Sequence, residues 1–306
     1  MSYSIIIPVY NEEESLPTLF SEIKKVIIRD LKSFELIFID DGSTDKSLKV
    51  IEEIKNRAEL PVKIISLRSN QGKSAALMAG FRQASGDFII TMDADLQDDP
   101  KEIWPLIDKL NEGYDLVSGY KKNRHDPINK TIPSRIFNYL VRKTTGVSLH
   151  DINCGLKIYR QEVTRSLILY GELYRFIPVL AASAGFNITE IQVNHRPRKY
   201  GKSKFGASRF VRGLLDLLTV IVQTKFIRRP LHFFGPTGIL SITAGTIICL
   251  YLSYIRIFDH QSIGKRPLLL LGIFLIIAGI QIISTGIVAE IITYYYQRNN
   301  ANRHEN

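Results

Sequence analysis

Cysteine is nearly absent: two in 306 residues. Cys249 lies inside a long apolar run and cannot readily pair with Cys154, so no disulfide framework exists, as expected of a reducing compartment. With 20 glycines and 12 prolines the chain is neither collagenous nor of low complexity, and an apolar share of 45% excludes disorder. The opening residues, MSYSIIIPVYNEEE, lack the basic stretch and long apolar core of a signal peptide. No G-x-G-x-x-G follows the first strand, so a dinucleotide fingerprint is missing. Gln71-Gly72-Lys73-Ser74 ends like a P-loop, but the glycine needed five positions before Gly72 is Leu67.

The most informative absence is charge. Residues 231–255 and 267–289 contain no Asp, Glu, Lys or Arg. At about 1.5 Å per residue each run can cross a hydrocarbon core of roughly 30 Å. Two spans joined by a short loop, Arg256–Arg266, make a hairpin, which puts residues 1–230 and the C-terminal tail on one side of the membrane. Lys225, Arg228, Arg229, Arg298 and Arg303 flank its outer ends, against Arg256, Lys265 and Arg266 in the loop. This bias and the missing signal peptide place the body in the cytoplasm of a cell whose inner (plasma) membrane holds the hairpin.

The net charge of +10 calls for an anionic partner, but it is unevenly spread. Residues 1–115 carry 14 basic and 21 acidic side chains, residues 116–230 carry 21 and 6, and the rest 5 and 3. A near-uncharged apolar tail turns the reading from nucleic acid to phosphates and lipid headgroups.

Within the body, apolar runs at Tyr3–Val9, Phe34–Ile39, Val62–Leu67, Phe88–Met92 and Leu116–Ser118 alternate with helical patterns at Leu16–Ile28, Lys46–Ala58, Lys73–Ala84 and Pro100–Leu110. The pattern predicts an α/β fold with a parallel sheet covered on both faces. Ligands of such sheets bind beyond the carboxyl ends of the strands. There stand Pro8-Val9-Tyr10-Asn11-Glu12, Asp40-Asp41-Gly42-Ser43 and Asp93-Ala94-Asp95-Leu96-Gln97. Just past a strand end the carboxylates of Asp93 and Asp95 can reach one ion, and hard oxygen ligands suit Mg²⁺ or Mn²⁺ shared with substrate phosphates.

Arg196-Pro197-Arg198-Lys199-Tyr200-Gly201-Lys202-Ser203-Lys204 places five cations in nine residues and reads as a mobile loop closing on phosphate oxygens. Lys121, Lys122, Arg124, Lys130 and Arg135 form a second basic cluster. Phe210, Leu214, Leu217, Leu218 and Ile221 recur at helical spacing, as in a helix lying in the membrane interface; a core helix of the body is the alternative. Glu290, near the inner end of the second span, reads as an intersubunit or headgroup contact, so a homo-oligomer stays open.

IIIPVYNEE, IDDGSTD, NQGKSAALMAG and GDFIITMDADLQDDP together resemble the membrane-associated family 2 glycosyltransferases of GT-A fold, and among them the polyprenyl-phosphate glycosyltransferases. The likeness runs through Lys204, and the two-span tail resembles that of bacterial undecaprenyl-phosphate glucosyltransferases. The resemblance implies a GT-A catalytic domain over 1–204, an interfacial region over 205–230, two transmembrane helices within 231–297 (231–255 and 267–291) and a tail over 298–306. It implies that Pro8, Tyr10, Glu12 and Asp40 hold the nucleoside, that Asp93, Asp95 and Gln97 hold the metal, and that Arg198 and Lys204 hold the donor phosphates. Lys121, Lys130 and Ser134 fall where dolichol-phosphate mannose synthases place acceptor-phosphate ligands, with Arg135 beside them; the first two are Arg in those relatives, which puts bidentate binding in doubt. Asp151 matches an acidic position near the transferred sugar.

The expected activity is inverting transfer of a hexose, glucose from UDP-glucose first and mannose from GDP-mannose second, to undecaprenyl phosphate. Another acceptor on the same fold is the next reading. A processive synthase of that kind would carry Q-x-x-R-W and more spans, whereas Gln223 is followed by Phe226 and Ile227. A non-catalytic membrane anchor would not need the donor-side carboxylates.

Overall fold

The computed structural model describes residues 1–121, 128–197, 199, 208–226, 230–258 and 267–304; within these the side chains at 29, 31, 32, 128–136, 208–212, 225 and 296–304 are outside the description. Arg198 and Lys204 fall outside the described residues, as do the side chains of Lys130, Ser134 and Arg135. The chain divides into two units, Met1–Val220 and Ile221–Asn306.

The first unit is built on seven strands: β1 (Tyr3–Val9), β2 (Phe34–Asp40), β3 (Val62–Ser66), β4 (Phe88–Thr91), β5 (Leu116–Tyr120), β6 (Lys157–Arg160) and β7 (Ile188–Gln192). They form one sheet in the order β3-β2-β1-β4-β6-β5-β7. Pairing is parallel from β3 to β4 and between β5 and β7, but β6 runs antiparallel to both β4 and β5. The sequence pattern predicts the first five strands to within two residues. It misses β6 and β7, because KIYR is four residues long with a charge at each end and ITEIQ is only partly buried, so neither carries the apolar run that marks a doubly covered strand.

Helices α1 (Leu16–Ile27), α2 (Ser47–Arg57), α3 (Lys73–Gln83) and α4 (Ile103–Asn111) fill the crossovers. In α1 the buried residues are Leu16, Leu19, Ile23 and Ile27, the three-and-four spacing of one helix face. A 3₁₀ turn over Pro100–Glu102 leads into α4, and Asp99 caps it by accepting from the Lys101 amide at 3.1 Å. Beyond these come α5 (Ile128–Thr145), α6 (Gln161–Ser166), α7 (Ile177–Ser183) and α8 (Ser208–Ile221). A Cβ on Gly213 of α8 would sit 3.3 Å from the Phe137 ring, and Leu217 and Val220 are buried, while Leu214, Leu215 and Leu218 stay exposed. The helix therefore packs one face on the body, as the core-helix reading expects, and leaves a face of leucines exposed.

The second unit holds α9 (Leu231–Phe258) and α10 (Pro267–His304). Of these, Leu231–Phe258 and Pro267–Tyr295 are long and apolar enough to cross a membrane, with only 22% and 11% of their most apolar windows buried; the core helix of a soluble protein would be mostly covered. Both exceed the lengths expected from charge, and α10 continues through 298–304 instead of ending in a separate tail. Gly238 and Gly245 face Gly279 and Gly272, where a Cβ on Gly245 would lie 2.5 Å from the Gly272 carbonyl oxygen. Paired small residues seven apart let the backbones touch, as membrane helices require in the absence of a hydrophobic drive. Ser241 donates to the Leu275 carbonyl at 2.8 Å, and Glu290 accepts from the Leu231 amide at 3.1 Å. Glu290 is thus engaged within the hairpin, at the first amide of α9.

One buried carboxylate ties the parallel strands together. Glu35 on β2 accepts from the Ser4 hydroxyl of β1 and from the amide and hydroxyl of Ser85, and pairs with Lys63 of β3 at 2.8 Å. Burial opposes its ionisation, but the Lys63 and serine hydrogen bonds prevail and hold its carboxyl down to about 2, below the ordinary 4.5. A depressed pKa stabilises the fold fully above pH 4.5 and loses that contribution as pH falls through 2. We expect Glu35→Gln to lower stability by about 2 kcal/mol at neutral pH and to flatten the loss of body stability between pH 4.5 and 2, read by thermal melts across that range. A variant melting in parallel with wild type at every pH would contradict this.

Candidate active site at the carboxyl edge of the sheet

The loops after β1 and β2 are laced to each other. The Asn11 amide donates to the Ser43 hydroxyl (3.0 Å), the Glu12 amide to the Ser47 hydroxyl (2.8 Å), and the Thr44 amide to Asn11 Oδ1 (2.8 Å). Glu13 accepts from the Lys46 amide at 2.8 Å. Asn11 has φ +56, tolerable for Asn because its short amide bonds locally. The residues expected to meet a nucleoside, Pro8, Tyr10, Glu12 and Asp40, are gathered here. Asp40 is buried, accepting from the Ser43 amide (3.2 Å) and the Ser66 hydroxyl (3.4 Å), and Glu12 accepts from the Ser15 hydroxyl (3.1 Å).

Asp41 draws in the next loop by accepting from the amides of Gln71 (2.7 Å) and Gly72 (2.9 Å). Burial still pushes its carboxyl above the ordinary range, with the Asp40 charge adding to the rise. The approach depends on Gly42, which has φ +68 and whose Cβ would lie 2.5 Å from the Ser69 carbonyl carbon.

This loop delivers Lys73, at the start of α3, to the Asp93-Ala94-Asp95 turn after β4. Lys73 is ion-paired with Asp93 and lies 5.1 Å from the Tyr174 ring centroid. Burial alone would keep both groups neutral; their mutual attraction wins, lowering the Asp93 pKa and raising that of Lys73. Asp95 is buried and accepts from the Gln97 amide at 3.1 Å. Between them Leu96 holds φ +63 with its side chain in the core. A left-handed leucine is strained, and apolar burial offsets the cost where the turn must present two carboxylates.

Lys121, at the end of β5, pairs with the buried Asp98 at 3.2 Å, and Asp98 also accepts from the Asp93 amide at 3.4 Å. Burial, the largest single influence, lowers the Lys121 pKa, but the surrounding negative groups, Asp98 foremost with Asp93 and Asp151, together outweigh it, so it remains an ammonium. The expected acceptor-phosphate lysine thus stands beside the expected metal ligand. Asp151 is buried and accepts from the Asn153 amide (3.3 Å). Its segment is held by Glu190 of β7, which accepts from the amides of His150 (2.8 Å) and Asp151 (3.4 Å) and pairs with the His150 ring, itself stacked on Tyr120.

The basic segment expected to close on phosphate is rooted at this turn. The Arg196 amide donates to the Gln97 carbonyl (3.0 Å), His195 bridges Asp98, and Asn194 donates to Asp99 (3.4 Å). Arg196 is bound to Glu22 (2.6 Å) and Asp99 (2.7 Å), which makes it an anchor and removes it from the cations free to meet phosphate.

Beneath the turn is a small cavity lined by Pro8, Lys73, Thr91, Asp93, Lys157 and Tyr159, among others. Lys157 of β6 is buried and donates to the Cys154 carbonyl. Burial, reinforced by the Lys73 charge, pushes its pKa below that of an ordinary lysine. The Cys154 thiol is pushed up to about 12 by burial, which removes it as a nucleophile.

Comparison with known proteins gives this edge a context. Residues 4–168 match the model of glycosyl transferase family 2. The chain belongs to that family. The transferase is 39% identical over 305 residues to a dodecaprenyl-phosphate galacturonate synthase of Rhizobium johnstonii, covering 98% of this chain and 90% of the relative. It is 34% identical over 294 residues to an undecaprenyl-phosphate 4-deoxy-4-formamido-L-arabinose transferase of Pseudomonas paraeruginosa, covering 96% and 85%. The likeness to polyprenyl-phosphate glycosyltransferases therefore extends through both units. Among solved structures, glucosyl-3-phosphoglycerate synthase of Mycobacterium tuberculosis with Mn²⁺, UDP-glucose and phosphoglyceric acid aligns with a TM-score of 0.57 at 18% identity over 73% of this chain and 79% of that one. At that identity the match establishes the GT-A fold alone.

Sequence reasoning missed Lys73, Asp98, Lys157 and Glu190 in the transferase. Lys73 was signalled: a sequence that fails as a P-loop still places a lysine at a helix start on the ligand-binding edge of a parallel sheet. Glu190 and Lys157 carried no signal, since both sit on the two strands that the pattern does not mark. We expect Gly42→Ala, which must move the 69–72 backbone, to lower the transferase's thermal midpoint by several degrees and its affinity for a nucleoside diphosphate at least tenfold. Unchanged nucleotide binding by calorimetry would refute the role given to that loop.

Proposed function

We propose that the transferase moves a sugar from a nucleotide sugar onto a polyprenyl phosphate at the cytoplasmic face of the inner membrane, with inversion at the anomeric carbon. One observation carries the reading: Asp93, Asp95 and Asp98 converge with Lys73 and Lys121 at a single sheet edge. Tyr10, Glu12, Pro8 and Asp40 would enclose the nucleoside, and Arg198 and Lys204 would meet the donor phosphates.

Asp93, Asp95 and Gln97 would hold Mg²⁺ or Mn²⁺. Among the described residues no three His, Cys, Asp or Glu side chains are grouped around one point, which fits a cation whose coordination is completed by donor phosphates and water. The Lys73 ammonium on Asp93 shows that this carboxylate is already held against a positive charge. The metal, when bound, supplies neutralisation of the leaving diphosphate. Arg198 and Lys204 stabilise the same departing charge.

The acceptor phosphate needs no strong base, because its second ionisation lies near pH 6 by analogy with phosphorylated side chains. Lys121, Lys130, Ser134 and Arg135 would orient it for attack from the face opposite the diphosphate. Asp151, fixed by Glu190, would orient the sugar and favour the positive charge developing at its ring. The polyprenyl tail stays in the bilayer, each buried methylene contributing about 0.8 kcal/mol, so the exposed leucines of α8 and the hairpin keep the body at the surface where the phosphate lies. The sequence puts glucose from UDP-glucose first, while the full-length relatives' names bring galacturonate and 4-deoxy-4-formamido-L-arabinose beside it.

Radiolabelled nucleotide sugars offered with undecaprenyl phosphate should yield lipid-linked sugar and free nucleoside diphosphate only when lipid phosphate and divalent metal are both present. Asp95→Ala should abolish turnover, whereas Lys130→Ala should mainly raise the lipid-phosphate concentration required. Metal-independent transfer, or equal loss of donor binding in the two variants, would sink the assignment.

A further inference from the structure

Among the described residues, three cations around the donor edge are neutralised by carboxylates and one is not. Lys73 is paired with Asp93, Lys121 with Asp98, and Arg196 with Glu22 and Asp99. Lys157 is 3% exposed, lines the same cavity as Asp93, and has no carboxylate oxygen of the described residues within ion-pair reach; it donates to the neutral Cys154 carbonyl. An ammonium removed from water with no carboxylate paired to it directly is costly, and Asp93 and Asp151 favour its charge only from beyond ion-pair distance. Its register leaves no escape to solvent, since β6 lies between β4 and β5, with Lys157 opposite Thr91 and Ser118. Around it the cavity offers hydroxyls, with Thr91 Oγ1 2.9 Å from the Gly155 carbonyl and 3.2 Å from the Tyr159 hydroxyl. A polar cavity with two lysines and one carboxylate in its lining, one of those lysines without a direct ion pair, suits an anionic oxygen.

We infer that Lys157 receives a negatively charged oxygen of the bound donor, either a carboxylate on the transferred sugar or an oxygen of the diphosphate. The inference rests on the reading of this edge as the nucleotide-sugar site. The chemistry of the two sources is the same, an anionic oxygen meeting an ammonium, but they differ in consequence. A diphosphate is common to every donor, whereas a sugar carboxylate would make Lys157 the residue that selects uronic acids over neutral hexoses.

The test uses the full chain in detergent with Mn²⁺, comparing wild type, Lys157→Met and Lys157→Arg by calorimetry against UDP, UDP-galactose and UDP-galacturonate. The two sugars differ only in a hydroxymethyl or carboxylate at C6. A Kd raised about tenfold or more in Lys157→Met for UDP-galacturonate alone, and restored in part by Lys157→Arg, supports the sugar-carboxylate source. A comparable rise for all three ligands supports the diphosphate source. Without ligand, Lys157→Met should melt at or above the wild-type temperature, because it removes a buried charge that has no direct ion pair. Unchanged Kd in the variant for every ligand that wild type binds, or a large fall in the ligand-free melting temperature, would overturn the inference. Transfer of labelled sugar to undecaprenyl phosphate by wild type reports separately on the enzymatic reading, since the binding measurements contain no acceptor.

Discussion

A carboxylate held at the edge of a covered sheet needs a donor or cation within reach, and this requirement organises the catalytic body. Asp40 and Asp41 are satisfied by backbone amides of the next turns, Asp93 by Lys73, Asp95 by the Gln97 amide, Asp98 by Lys121, and Asp99 by Arg196 and the Lys101 amide. Four of these pairings, Asp41 with the Gln71 amide, Asp93 with Lys73, Asp98 with Lys121 and Asp99 with Arg196, also join segments distant in sequence. The acidic residues that would bind a cation and a nucleotide are therefore the same ones that fix the loops' positions. Function and local folding use one set of contacts, and the strained turn at Leu96 is held in place by core packing on one side and by these contacts on the other.

That economy explains what was legible from sequence. The first four strands and their crossover helices were readable because each strand is apolar on both faces and each helix carries its cap or periodic face. The carboxylates were readable because they stand at strand ends, where the topology of parallel sheets puts ligands. Lys157 and Glu190 were not readable, since KIYR and ITEIQ alternate too weakly to register as strands. Their importance arises only when β6 inserts antiparallel beside β4 and β7 joins the edge. The basic segment after Asn194 was legible as a source of cations, but its first arginine is consumed in anchoring the segment to Glu22 and Asp99.

The second unit follows a different rule. In water the hydrophobic effect would bury α9 and α10; instead their apolar faces are largely uncovered and their mutual packing depends on glycine, where backbone meets backbone. The polar groups that do occur are turned to the hairpin's own use, as with Ser241 on the Leu275 carbonyl and Glu290 on the Leu231 amide.

The charge distribution joins the two rules. An acidic first third by itself would repel a diphosphate, and a basic middle by itself would bind any polyanion. Strapping residues 194–196 to residues 97–102 brings the start of the basic segment to the acidic turn, so the field at the edge is mixed, with fixed cations spaced among fixed carboxylates. A mixed field of this kind discriminates: it accepts an anion accompanied by a divalent cation and penalises either alone. On the proposed function, a nucleotide sugar carrying its metal and a lipid phosphate held at the membrane surface would each meet charges of the right sign there.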